Sequence, residues 1–331
     1  MLFVCTPSLK ASRLAAGVRS SLGDRLVAEF TQVEPHVPRE TVDAARALAQ
    51  QQKIDIVLVL GGGSAMGVGK GVVFREDPEA GPAPALIAIP TTYAGSEMTP
   101  VFGTTNRVEG RKSVRRDPAV LPKLVIYDPD VTLDLSPELT ASTAINALAH
   151  CVEACYARDV NPLVPPVALE GVRRIVRSLP LCITNGRNLD AREDLLTGAY
   201  LAGFSIGNAT MALHHGLCHV LGGRTGVAHG VLNAIMLPHV MQFNADAVPD
   251  AMSAIADAMD AGARTRDFAA APRGVAALVA SLPVPQRLRD AGVPEAILDE
   301  VAAESAANAT VQSNPKPVTK ADLRELLRAA W

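Results

Sequence analysis

The stretch Leu213 to His229, LHHGLCHVLGGRTGVAH, holds four of the chain's 7 histidines: His214, His215, His219 and His229. His215 and His219 are four residues apart, so a helix places them on one face. Gly222 and Gly223 read as the stop of that helix. His229 follows in the next segment, where a returning chain can bring it back toward the first two. Upstream, Asn146 and His150 in INALAH are again four apart. Pairs on two helices are how helical domains assemble polar clusters and metal sites. Three imidazoles can hold zinc with an open position. The oxygen-bearing residue here is Asn146, however, and a neutral amide is a much poorer ligand for a divalent ion than a carboxylate. Spacing alone leaves two readings open: a reactive or metal-binding cluster, or histidines satisfied in the core and at helix ends.

A second chemistry lies earlier. The run IDIVLVL, Ile54 to Leu60, is nearly all aliphatic and passes directly into Gly61-Gly62-Gly63-Ser64. Such a run suits a parallel strand covered on both faces. A glycine turn between that strand and a helix lets backbone N–H groups approach a pyrophosphate, whose charge the helix N-terminus favours. The turn is not the GxGxxG fingerprint, and a plain tight turn is the competing reading. The next strand, Ala85 to Ile89, ends at Pro90 and runs into Thr91-Thr92-Tyr93-Ala94-Gly95-Ser96-Glu97. In open α/β sheets ligands bind beyond the carboxyl ends of strands, where both loops would lie.

The elements that must position these groups change in kind along the chain. Leu2 to Cys5, Val27 to Val33, Ile54 to Leu60, Ala85 to Ile89 and Leu124 to Tyr127 read as strands, with helices predicted over Ser8 to Leu22, from Pro38, and over Ala65 to Phe74. That alternation implies a doubly wound α/β domain with a mostly parallel sheet. Val101 to Arg116, rich in Gly, Thr, Arg and Lys, reads as a hairpin over the glycine loops. From Ser136 the pattern is helical. Ser136-Pro137-Glu138 gives a cap, an N1 proline and an acidic first turn to a helix running to about Ala157. Helices are predicted over Pro166 to Arg177, Ala191 to Phe204 with Asp190 as cap, Thr210 to Leu221, and Val231 to Gln242. Others fall over Asp250 to Ala261, Phe268 to Ser281, Pro294 to Ala307, and Lys320 to Trp331 behind Thr319. The boundary falls near Asp130, giving an α/β domain over 1–130 and an all-α domain over 131–331.

Composition narrows the function. With 31 basic and 34 acidic residues the formal net charge is −3, which argues against a nucleic-acid partner. No apolar run reaches membrane-spanning length, and the start, MLFVCTPSLK, does not read as a signal peptide. The 5 cysteines are odd in number and scattered, which suits a reduced, cytoplasmic protein with buried thiols.

GGGSAMGVGK (Gly61 to Lys70), IPTTYAGSEMTPVFGTT (Ile89 to Thr105), the Arg111-Lys112 turn and VIYDPDVTLDL (Val125 to Leu135) together carry a resemblance. So do NALAHCVEACYARDVNP (Asn146 to Pro162), LHHGLCHVLGG (Leu213 to Gly223) and the terminal NPKPVTKADLRELLRAAW. On these motifs the chain resembles the iron-containing alcohol dehydrogenase superfamily and, within it, the maleylacetate reductases. The resemblance implies a dehydroquinate synthase-like fold: an N-terminal dinucleotide domain and a C-terminal helical domain with the active site between them. It also implies a homodimer. Metal-dependent members carry Asp-x-x-x-His, then two histidines fourteen residues apart. The matching positions here are Asn146, His150, His215 and His229, so the carboxylate is lost. Gly67 likewise stands where those members have Asp. Both departures resemble maleylacetate reductases and imply no catalytic metal; an ion, if one bound, would take His150, His215 and His229. Gly216 departs the other way, standing where maleylacetate reductases often have Lys.

The implied reaction is NADH- or NADPH-dependent reduction of maleylacetate, a small dicarboxylate, to 3-oxoadipate; the alternative is metal-dependent oxidation or reduction of a small alcohol or aldehyde. The resemblance places His150, His215 and His229, beside Asn146, in the oxyanion and carboxylate pocket, and makes His219 a proton relay. Tyr93 is a candidate hydrogen-bond donor, and Arg111 and Arg224 are candidate cations for the substrate. The matching cofactor positions are Gly61, Gly62, Gly63 and Ser64 at the pyrophosphate, with Thr91, Thr92, Ser96, Thr99 and Lys112 around the phosphates and ribose. The first strand ends in Thr6-Pro7-Ser8, with no acid to bind a ribose 2′-hydroxyl and repel a 2′-phosphate.

Overall fold

The computed structural model describes residues 1–77, 81–107, 111–260 and 267–331; the side chains of 111 and 112 lie outside that description. The chain divides into two compact units, Met1–Asp134 and Leu135–Trp331.

The first unit alternates strand and helix: β1 (Leu2–Cys5), α1 (Arg13–Leu22), β2 (Ala28–Phe30), α2 (Arg39–Gln51), β3 (Ile56–Gly61), α3 (Gly63–Val73) and β4 (Ala85–Pro90). The antiparallel pair β5 (Val101–Asn106) and β6 (Arg111–Arg116) and the short β7 (Leu124–Val125) follow. The main sheet is parallel throughout, in the order β2-β1-β3-β4-β7. Leu2, Val4, Val57 and Val59 face one apolar cluster, while Phe3, Cys5, Leu58 and Leu60 face another. This two-sided burial is why the strands read as continuous aliphatic runs. The winding direction reverses between β1 and β3, so the ligand crevice of such a sheet opens at their carboxyl ends.

The second unit is helical: α4 (Pro137–Tyr156), α5 (Val164–Thr184), α6 (Leu189–Gly207), α7 (Leu213–Thr225), α8 (His229–Asn244), α9 (Pro249–Met259), α10 (Ala270–Ala280), α11 (Leu298–Ala306), α12 (Ala309–Gln312) and α13 (Lys320–Ala330). Among the described residues no strand follows β7.

Several ends differ from expectation, each for a local reason. The helix expected from Ser8 begins at Arg13, because the Ser12 hydroxyl accepts the Ala15 N–H at 3.1 Å and caps it there. The cap of α6 is Asn188 rather than Asp190; its Oδ1 accepts the Ala191 N–H at 3.1 Å. Gly222 and Gly223 do not end α7. The helix runs through them to Gly226, whose φ of 70° is the left-handed stop and whose N–H bonds Gly222 O at 2.9 Å. Thr319 caps α13 as expected, in a reciprocal capping box with Asp322.

Candidate active site

In the first unit, β3 and β4 run in register from Ile56↔Ala85 to Gly61↔Pro90, so the two hydroxyl- and glycine-rich loops leave the sheet side by side. The Thr91 N–H closes on Gly61 O at 3.1 Å. A Cβ on Gly61 would stand 2.7 Å from Ala65 Cβ, and one on Gly62 would stand 2.8 Å from Thr92 Cγ2. Those two glycines are required by packing. A Cβ on Gly63 would meet nothing within 4 Å, so the first turn of α3, with N–H groups that lack intrahelical partners, faces open space. A turn of this kind can cradle a phosphate. Ser64 sits in that first turn, while Thr91 is buried and Thr92 half-buried.

The following loop is tied down by a residue that type and spacing do not single out. Lys70, on α3, is fully buried, and its Nζ donates to the carbonyl oxygens of Ser96, Thr99 and Val101 and to Thr99 Oγ1. Burial pushes the ammonium down to about 7, opposed by buried Glu97. Thr99 Oγ1 also bonds Ser96 O at 3.0 Å, so this hydroxyl is occupied within the loop. Tyr93 takes a different role from the one expected. It is fully buried and its hydroxyl donates to Thr132 Oγ1 at 3.1 Å, which makes it a loop anchor. Lys112 pairs through its backbone with Thr105 on β5; its side chain and that of Arg111 lie outside the described residues. A side chain at Gly67 would collide with Val37, whose Cγ2 lies 2.7 Å from the added Cβ, so an Asp here has no space.

In the second unit α4, α7 and α8 bring Asn146, His150, His215, His219 and His229 together. Asn146 and His150 stand one turn apart on buried α4. A Cβ on Gly230 would lie 2.7 Å from Ser142 O, so this glycine lets the start of α8 lie against the α4 backbone. The rings of His150 and His215 have centroids 4.7 Å apart, with planes 21° from parallel. His215 to His229 is 5.8 Å, His219 to His229 is 5.2 Å, and His215 to His219 is 6.3 Å. His150 and His215 are buried, whereas His219 and His229 are half-buried. Gly216 points elsewhere: a Cβ there would meet Val311 Cγ2 at 2.7 Å. Arg224 is exposed and ion-paired with Glu300 and Glu304 on α11, so it is no free cation for a substrate.

Glu153, three residues beyond His150 on α4, completes the cluster. It is fully buried. Its Oε1 accepts the His214 N–H at 2.9 Å, and its Oε2 lies 2.6 Å from His215 Nδ1. His215 Nε2 and His150 Nδ1 are buried with no hydrogen-bond partner. Burial holds His150 down to about 3 and His214 down to about 4, and puts His215 well below the usual imidazole range. His150, His214 and His215 are therefore neutral imidazoles at neutral pH.

The fit to a metal can be judged from the donors. Among the described residues the trio with donor atoms all within 4.8 Å of one another is Glu153, His214 and His215. Two of those donors are a hydrogen-bonded pair at 2.6 Å, closer than neighbouring ligands about 2.0–2.3 Å from one ion in a tetrahedron. The rings of His150 and His229 also lie near His215, with centroids 4.7 and 5.8 Å away, but among the described residues these three are not a group with all donor atoms within 4.8 Å. Three imidazoles can hold an ion in general, but beside these three Asn146 offers no charge.

The family described as "Iron-containing alcohol dehydrogenase" matches residues 1–129, and "Fe-containing alcohol dehydrogenase family, C-terminal" matches residues 140–331. A maleylacetate reductase of Sphingobium indicum is 39% identical over 99% of this chain and 88% of its own length. The crystal structure of maleylacetate reductase from Agrobacterium tumefaciens is 36% identical with a TM-score of 0.88, covering 100% of this chain and 89% of that one. The enzyme from Rhizobium sp. strain MTP-10005 gives the same identity, TM-score and coverage. The chain is an oxidoreductase that belongs to the iron-containing alcohol dehydrogenase family, with maleylacetate reductases among its relatives.

Proposed function

We propose that the chain reduces maleylacetate to 3-oxoadipate with NADH or NADPH in the breakdown of aromatic compounds, without a catalytic metal. The observation that carries this reading is the cluster of four imidazoles around His215 with an amide, Asn146, in place of an acid. When bound at the α3 cradle of Gly61, Gly62, Gly63 and Ser64, the reduced nicotinamide nucleotide supplies hydride to the double bond of the substrate. That bond is conjugated to a ketone, so the electron pair moves onto the ketone oxygen as an enolate, and a proton then returns to the adjacent carbon. His150, His215 and His229 surround the developing oxyanion and the carboxylates, which a neutral, water-poor pocket of hydrogen-bonding groups stabilises. His219, half-buried beside His229, relays the proton to carbon. His150, His215 and His229 would hold an ion if one bound, and it would supply Lewis-acid polarisation of the ketone.

Thr6, Pro7 and Ser8 place no acid at the end of β1, which supports use of both nucleotides. The reading includes a cytoplasmic homodimer. Five free cysteines support a reducing compartment, and among the described residues no helix is long and apolar enough to cross a membrane. The test is oxidation of NADH and of NADPH by purified protein with maleylacetate, identifying the product. Formation of 3-oxoadipate is expected; turnover of simple aldehydes with none of maleylacetate would overturn the reading.

A further inference from the structure

The geometry points to Glu153 as a positioning residue that holds His215 in its Nδ1–H tautomer, so that Nε2 presents a lone pair to the other imidazoles. The proposal rests on the imidazole-assisted reduction above and refines the part His215 plays in it. Two independent chains of contacts lead to the same tautomer. The first runs through Glu153, around which donors gather. The backbone N–H of His214 donates to its Oε1 at 2.9 Å, and the N–H groups of Ala212 and His215 also favour its charged form. Burial raises this carboxyl to about 7 and the N–H donors at the start of α7 oppose that shift, so the charged form, the carboxylate, is the one these contacts favour. The remaining oxygen, 2.6 Å from His215 Nδ1, then requires a proton on that nitrogen.

The second chain starts on α8. His214 Nε2 faces the carbonyl oxygen of Asn233 at 3.2 Å, and a carbonyl only accepts, so His214 carries its proton on Nε2. His214 Nδ1 is therefore a lone pair, and it lies 3.4 Å from His215 Nδ1. Both neighbours of His215 Nδ1 are acceptors. The Nδ1–H tautomer satisfies them together, and the opposite tautomer would set lone pair against lone pair.

Glu153 also has a structural duty. The N-cap of α7 is Ala212, which has no polar side chain to cap with, and the Glu153 carboxylate reaches over from α4 to take the His214 N–H. The charge suits a helix N-terminus. One carboxylate thus fixes both the helix that carries His215 and the ring itself. A neutral His215 accepts at Nε2 and cannot donate to an enolate. The hydrogen bonds to the oxyanion then fall to His150 and His229.

The experiment uses protein labelled with nitrogen-15 in histidine, with long-range proton–nitrogen correlation spectra at neutral pH assigned by difference against His215→Gln. Wild type should show His215 protonated on Nδ1. In Glu153→Gln the amide nitrogen can donate to Nδ1, so the proton moves to Nε2. The catalytic turnover should fall about 10–100-fold, as for loss of a carboxylate behind a functional histidine, with the KM for NADH little changed. Glu153→Asp, which keeps the charge, should recover part of that loss and the Nδ1–H signature. A wild-type spectrum with the proton on Nε2 would overturn the proposal, as would Glu153→Gln with both tautomer and turnover unchanged. Should Glu153→Gln not fold, the wild-type spectrum decides. The spectra need no substrate, so they separate this proposal from the choice of maleylacetate.

Discussion

Replacing Gly230 by alanine should lower both stability and turnover, although alanine is the better helix former. Gly230 lies in the first turn of α8, one residue after His229. The added methyl would stand 2.7 Å from Ser142 O and 2.9 Å from Ser142 C, backbone atoms of α4 that cannot swing aside as a side chain could. Alanine gains about 1 kcal/mol in helix propensity. Overpacking of this kind costs about 1–3 kcal/mol, so the net effect should lie between about zero and a loss of roughly 2 kcal/mol. The relief has to come from α8 moving off α4, which carries His229 away from His215, 5.8 Å distant between centroids. A displacement of about 1 Å in such a group costs on the order of 100-fold in rate. Urea denaturation and steady-state kinetics read the two effects. The control is Gly223→Ala in α7, where a Cβ meets nothing within 4 Å; it should stabilise by about 0.5–1 kcal/mol with activity unchanged. If Gly230→Ala behaved like that control, the close approach of α8 to α4 would not be what sets the cluster.

Asn146→Asp should raise affinity for zinc or iron by adding charge beside three imidazoles, without raising maleylacetate reduction; isothermal titration with the metal alone reads the first effect. His219→Ala should lower turnover while NADH affinity, followed by fluorescence titration, stays within a small factor, because a relay acts in the transition state. Acid should destabilise the fold. His150 and His214 titrate near 3 and 4 in the folded chain against about 6.5 unfolded, so below that value the unfolded chain takes more protons. Going to about pH 5 then costs roughly 2 kcal/mol per such imidazole. Glu153, pushed up to about 7 by burial, gains protons on folding over the same range and offsets part of the loss. A denaturation midpoint that rose between pH 7 and about pH 5 would contradict neutral burial of the cluster.

What could be read from the chain was what local rules write. The aliphatic runs of β1, β3 and β4, the glycine turn after β3 and the fourfold spacing of Asn146–His150 and His215–His219 depend on neighbours in sequence. Helix ends were harder because several stops compete: Gly222 and Gly223 offered one, but only Gly226 takes the left-handed conformation. Glu153 and Lys70 escape spacing arguments because their partners lie on other elements. A signal for both exists nonetheless. Each is the lone charge in an otherwise uncharged stretch, ALAHCVEACY for Glu153 and GGGSAMGVGKGVVF for Lys70. A charge that must be buried implies partners waiting for it. Tyr93 erred the other way, since a tyrosine in a ligand loop looks like a donor until its hydroxyl is found on Thr132.

The central claim is that imidazoles, with no resident ion, support reduction of the conjugated ketone. Its most direct test is elemental analysis of the purified protein alongside maleylacetate-dependent NADH oxidation before and after prolonged treatment with EDTA. The account predicts metal far below one equivalent per chain and a rate indifferent to the chelator. One bound iron or zinc per chain, with activity lost on stripping and regained on its return, would contradict it.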